Sequence, residues 1–153
     1  MAAAYDFTKL RKLLTIHLVV QSCLVILLLA VSWLFQQKIA DRLFLNCIIA
    51  SLLIQVGIFF PLKSLTAREV NREIGSSLLG LTPDDLKQLR RKRVIADIIK
   101  SSVFLFFIIF IYRLPEKPVV LAIAFFTFIL TCLAYFQCFN FTAKREMKAK
   151  GGK

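Results

Sequence analysis

Histidine and tryptophan occur once each in this 153-residue chain, and glycine only five times. The lone His17 excludes a bis-histidine haem site, and no histidine–cysteine or carboxylate cluster has metal-ligand spacing. Without a glycine-rich loop there is nothing to cradle a phosphate, and no serine–histidine–acid set is present for nucleophilic catalysis. Cys23, Cys47, Cys132 and Cys138 include no C-x-x-C pair, so they read as small buried apolar residues rather than redox groups or metal ligands. No enzyme activity and no cofactor is expected.

What the chain has is apolar surface: 58% hydrophobic residues and a mean hydropathy of +0.72, against roughly 45–50% apolar residues in soluble domains. These residues gather in four stretches, 13–35, 43–62, 94–112 and 119–139. Their lengths match the roughly 20 helical residues that cross a hydrocarbon core about 30 Å thick. Membrane strands would alternate polar with apolar, whereas LVILLLAV at 24–31 and VFLFFIIFIY at 103–112 are apolar on every side, which requires lipid or another helix all round. The fold class is all-α, a single polytopic domain with four spans.

The +12 net charge would suit nucleic acid, but its distribution points instead to a membrane topology. Cations crowd the amino terminus (Lys9, Arg11, Lys12), the segment between spans two and three, and the tail (Lys144, Arg145, Lys148, Lys150). The two short turns carry only Lys38, Arg42, Arg113 and Lys117. Four spans place these groups on opposite sides, and the positive-inside rule puts the richer side, with both termini, in the cytoplasm. Trp33 and Tyr112 sit at the outer ends of spans one and three, where amphipathic rings favour the headgroups. The sequon at Asn140-Phe141-Thr142 then faces the side where it stays unmodified, and the apolar run before Ala30-Val31-Ser32 is longer than that of a cleaved signal peptide.

The segment 63–93 is the one sizeable loop. Pro61 is expected to kink the end of span two, after which Leu62, Leu65, Val70 and Ile74 keep a helical spacing. Gly75-Ser76-Ser77 and Gly80 mark a break, and Thr82-Pro83-Asp84-Asp85 is a helix start: a capping hydroxyl, a proline at the first position and two carboxylates against the positive helix end. No breaker follows before Pro115, so the third helix should run from Pro83 to about Arg113. At 1.5 Å per residue that is roughly 46 Å, longer than the bilayer core. The expected architecture is an integral membrane four-helix bundle with spans two and three extended into a short cytoplasmic helical hairpin. Laying the chain on itself with a shift of about 79 residues matches Leu10-Arg11-Lys12 with Leu89-Arg90-Arg91 and Trp33 with Tyr112, the pattern of a parallel duplication.

Two groups of residues are candidates for function. Lys87, Arg90, Arg91, Lys92 and Arg93 place five cations just before span three, where each charge attracts anionic headgroups by about 1 kcal/mol. Within the spans, His17, Gln21, Gln55, Asp97 and Lys100 are polar in an apolar setting. The spacing of Asp97 and Lys100 lets them pair while the lysine reaches for the headgroups, and the others suit hydrogen bonds between helices.

In length, topology and a basic-to-apolar third span, the chain resembles the small four-span accessory proteins, or I subunits, encoded beside bacterial rotary ATP synthases. That resemblance implies an accessory role in a bacterial inner membrane, the expected location ahead of an endomembrane; Gly57 is the only glycine in a span, where that family's second span is glycine-rich. The leading expectation from the residues themselves is a non-enzymatic accessory, assembly or scaffold protein. Its expected partners are anionic lipid headgroups, a protein at the cytoplasmic hairpin, and further copies of the chain, with no nucleic acid. The competing expectation is an oligomeric channel or small-solute transporter lined by His17, Gln21, Gln55 and Asp97.

Overall fold

The computed structural model describes residues 5–78, 82–113 and 117–151, with side chain 103 set aside. Among them are four helices: α1 (Thr8–Gln36), α2 (Asp41–Ser76), α3 (Pro83–Arg113) and α4 (Pro118–Ala149). All four are long and apolar enough to cross a membrane. A helix closes its backbone hydrogen bonds within itself, which is what hydrocarbon demands of a chain that crosses it.

Local chemistry sets the helix ends. Pro83 and Pro118 open α3 and α4, at the position where a missing N–H costs nothing. Thr82 caps α3: its Oγ1 accepts from the Asp85 N–H at 3.3 Å and donates to Asp85 Oδ2 at 2.5 Å. At the close of α2 the Ser76 and Ser77 hydroxyls both donate to the Glu73 carbonyl, at 2.7 and 3.0 Å, satisfying an acceptor the ending helix leaves open. The break read at Gly75-Ser76-Ser77 thus coincides with the helix end; Gly80 lies outside the described residues. The chain stays helical through Pro61, so the proline removes the hydrogen bond to the Gly57 carbonyl without ending α2.

α2 and α4 form the central pair. Cys47 Sγ lies 3.8 Å from the Val119 carbonyl; Ser51 Oγ, which donates to the Cys47 carbonyl of its own helix at 2.8 Å, lies 3.3 Å from the Ile123 carbonyl; and Thr131 Oγ1 lies 2.9 Å from Gln55 Oε1 and 2.8 Å from its own Thr127 carbonyl. These contacts advance together along both helices, so the two run parallel. Ile39 of the first turn, Cys47, Ala122 and Phe126 are buried together, with Leu28, Val31 and Phe35 of α1 packed against them.

At the opposite end, where the chain starts and finishes, lies a larger core. Phe7, Leu10 and Leu14 of the amino-terminal region, Val70 and Ile74 of α2, and Phe139, Ala143 and Met147 of α4 are buried together. The Asp6 N–H donates to the Ser77 carbonyl at 2.8 Å, and Lys150 sits 5.3 Å over the Tyr5 ring. Asp6 in turn accepts from the Thr8 backbone and hydroxyl at 3.0 and 2.6 Å, bonds that hold its carboxyl below the usual range. The lower turn of α2 therefore packs on α1 and α4 more than on α3. No described residue of α3 is fully buried; its ring contacts to the rest are Phe104 and Phe107 against Phe128, at 5.3 and 5.2 Å.

Much of this terminal core lies past the apolar stretches, where water surrounds it and burial drives association. Ile74→Ala should cost about 2–4 kcal/mol, read as a lowered unfolding temperature in detergent. Ile26→Ala, on the exposed flank of α1, should leave that temperature within about 1 °C.

Candidate functional site

The first turns of α3 carry the five cations, and all five are exposed. Two are occupied by acids: Lys87 lies 3.7 Å from Asp84, and Arg93 Nε lies 3.3 Å from Glu73 Oε1. The second pair is the stronger tie, since the Glu73 side chain is only 14% exposed and the charges join α2 to α3. Beside it Arg72 donates to the Lys92 carbonyl at 3.2 Å. Among the described residues the side chains of Arg90, Arg91 and Lys92 have no acidic partner, so the cluster divides into one cation that ties two helices, Arg93, one in an exposed surface pair, Lys87, and three free ones.

Above this basic rim, Lys100 is the hub of a charged knot between three helices. Its ammonium pairs with Glu69 of α2 and lies 3.4 Å from Asp97. The Tyr135 hydroxyl of α4 donates to the other Glu69 oxygen, and Lys100 stands 5.9 Å over the Tyr135 ring. The Asp97–Lys100 pairing read from the spacing is present, but the more buried partner is Glu69, at 17% exposure against 59% for Asp97. A cation and an anion that shed water together need their remaining hydrogen-bonding capacity met; Tyr135 meets that of Glu69.

The other polar residues occupy separate places. His17 of α1 lies between the rings of Phe136 and Phe139 on α4, at 4.9 and 4.8 Å. The Asn140 side chain lies beside this imidazole, while the buried His17 Nδ1 and the buried Oδ1 of Asn140 both lack a well-aligned partner. Gln55 accepts from Thr131 between α2 and α4, leaving its Nε2 and the Thr127 hydroxyl unpartnered. Gln21 is half-buried one turn along α1 from His17, and Asp97 faces outward from α3. His17 thus stands on the contact of α1 with α4, Gln55 on that of α2 with α4, and Asp97 on the exposed side of α3 beside Lys100, and no metal-ligating group of three occurs among the described residues.

No family model, curated protein or solved structure matches the chain. The site therefore has to be read from its own groups.

Sequence reasoning passed over Glu69 and Tyr135, which complete the knot, and Glu73, which holds Arg93. A signal for the two glutamates was present: they stand one turn apart in a segment otherwise rich in cations, placed to answer lysine or arginine from a neighbouring helix. Tyr135 had none, because a tyrosine inside an apolar helix looks like any other aromatic until its hydroxyl finds a partner.

Removing one member of such a pair strands the other. Lys100→Met should destabilise the protein by about 1–3 kcal/mol, and adding Glu69→Gln should recover most of the loss. Thermal unfolding of the wild type, both single variants and the double variant in one detergent measures this directly; additive losses would separate the two residues.

Proposed function

We propose that this chain is a multi-pass membrane accessory protein. It holds both termini and the basic start of α3 on the cytoplasmic side, and offers that side to anionic lipid headgroups and to an acidic protein partner. The observation that carries the reading is the trio Arg90, Arg91 and Lys92. They are exposed on a helix whose neighbouring cations, Lys87 and Arg93, already have their acids.

Topology alone would need the charges but not their freedom. Three unpaired cations on consecutive residues, raised on turns that extend past the apolar stretch, fan about 200° round the helix, and such an excess of one sign draws anionic groups in proportion to its charge. The extended turns of α2 and α3, tied by Arg93–Glu73 and by Arg72 to the Lys92 carbonyl, support the cytoplasmic helical hairpin as its platform. A transport pathway has less behind it, since His17, Gln55 and Asp97 lie at separate places.

Arg93 belongs to the scaffold, so the informative variant changes only Arg90, Arg91 and Lys92, each to glutamine. It should insert normally, keep its unfolding temperature, and lose anionic lipid and protein partner on purification in mild detergent. Unchanged recovery of both would sink the reading. Orientation is checked separately: in intact cells, a cysteine replacing Lys38 should react with an impermeant maleimide, and one replacing Lys148 should react only after permeabilisation.

A further inference from the structure

α3 has two faces of different character. Its half-buried positions Leu89, Ala96, Phe107 and Ile111 share one side with Arg93, Lys100 and Phe104, the residues that touch α2 and α4. Roughly opposite runs an open groove of about 380 Å³, lined by Val94, Asp97, Ile98, Ser101, Ser102 and Leu105. Among the described residues nothing covers it: Val94, Ile98 and Leu105 are all exposed.

Lipid suits the apolar members of this face but not the others. One Asp97 oxygen faces Lys100 at 3.4 Å and the Ser102 hydroxyl is turned onto its own helix, but the second carboxylate oxygen and the Ser101 hydroxyl, about one to two turns into the apolar stretch, find no donor or acceptor among acyl chains. Their placement is ordered. Val94, Ile98, Ser101 and Leu105 follow a four–three–four spacing, the seam of two helices packed at a shallow left-handed angle. The small Ser101 at its centre permits close approach of two backbones. Asp97 and Ser102 flank the seam on opposite sides, five residues apart. In a parallel pair that is the offset at which a flanking residue of one helix meets the flanking residue of the other. The face is therefore complementary to itself, acceptor to donor, under a two-fold axis.

We propose that a second copy of this chain docks on this face, with the two α3 helices parallel and crossing at Ser101, and Asp97 of each copy accepting a hydrogen bond from Ser102 of the other. Ser102 now donates to the Ile98 carbonyl at 2.9 Å; in the dimer its hydroxyl turns to the partner's carboxylate. Two copies inserted the same way present α3 in parallel, as the pairing requires. The same spacing carried back along α3 reaches Arg91 and Lys87, which repel across the axis where the helices leave the apolar region. Salt shortens the reach of such charges to about 10 Å at 0.1 M, so it strengthens the dimer. The inference rests on the membrane-spanning reading of the helices and is independent of what the basic rim binds.

The test uses the full chain in lipid vesicles, with Cys23→Ala removing the exposed native thiol. Oxidation should link Ser101→Cys and Val94→Cys chains into dimers, while Leu29→Cys, on the exposed flank of α1, stays monomeric. Equal linking at all three positions, or none at 94 and 101, overturns the proposal in favour of lipid or a different helix as the occupant. Subunit counting by fluorescence adds the pairing: Asp97→Ala and Ser102→Ala should each weaken the dimer about three- to tenfold, with the double variant no weaker than either. Losses that multiply refute the hydrogen bond. The variant with Arg90, Arg91 and Lys92 changed to glutamine should keep or strengthen the dimer while losing its anionic partners, so the two readings fail separately.

Discussion

The parallel contact of α2 with α4 is the interaction on which the remaining architecture hangs. Apolar side chains gain little by leaving lipid for one another, so helices in a bilayer associate through close packing and hydrogen bonds. This seam supplies both. Cys47, Ser51 and Thr66 on α2 and Ala122, Thr127 and Ala143 on α4 are small and buried, and the Ser51 and Thr131 hydroxyls stand 3.3 and 2.9 Å from acceptors across it. Everything else is added to this pair: α1 through His17, Leu28 and Phe35 along its length, and α3 through the charged knot, the Arg93–Glu73 pair with its Arg72 neighbour, and two phenylalanines.

The molecule changes its cohesive force along its axis. In the apolar stretch it is held by small-residue packing and a few polar bonds. Past that stretch, Phe7, Leu10, Val70, Ile74 and Met147 make a core of the ordinary water-driven kind. The junction between the two regimes is where Glu69, Lys100 and Tyr135 meet. A charge there is dry enough to hold its partner tightly and near enough to the headgroups to be inserted at tolerable cost.

α3 is the exception to this economy. It is tethered at one turn by Lys100 and at another by Arg93, and it keeps an entire face bare. A helix so lightly held is available to other surfaces, and its two exposed features have different proposed occupants: anionic groups for Arg90, Arg91 and Lys92, and another copy of the chain for the Val94–Leu105 groove. The same element can serve both because they lie at different heights, one in water and one among acyl chains.

Helix number, approximate length and fold class were legible in the amino-acid order, because hydropathy over about 20 residues is a local property and lipid leaves helices as the form for such uniformly apolar runs. The ends of α3 were legible for a similar reason, since Thr82-Pro83-Asp84-Asp85 starts a helix through the residues beside it and no breaker occurs before Pro115. The five cations could be listed from the sequence, but not sorted into bound and free. That depended on Asp84 one turn away and on Glu73, twenty residues distant, reaching Arg93 across a helix contact. Which neighbour each helix chose, and therefore that Lys100 answers to Glu69 and that one face of α3 stays bare, was decided by tertiary structure alone. Uniformly apolar helices carry too weak a face-to-face pattern to declare their partners, and a few polar atoms, placed by packing, make the choice.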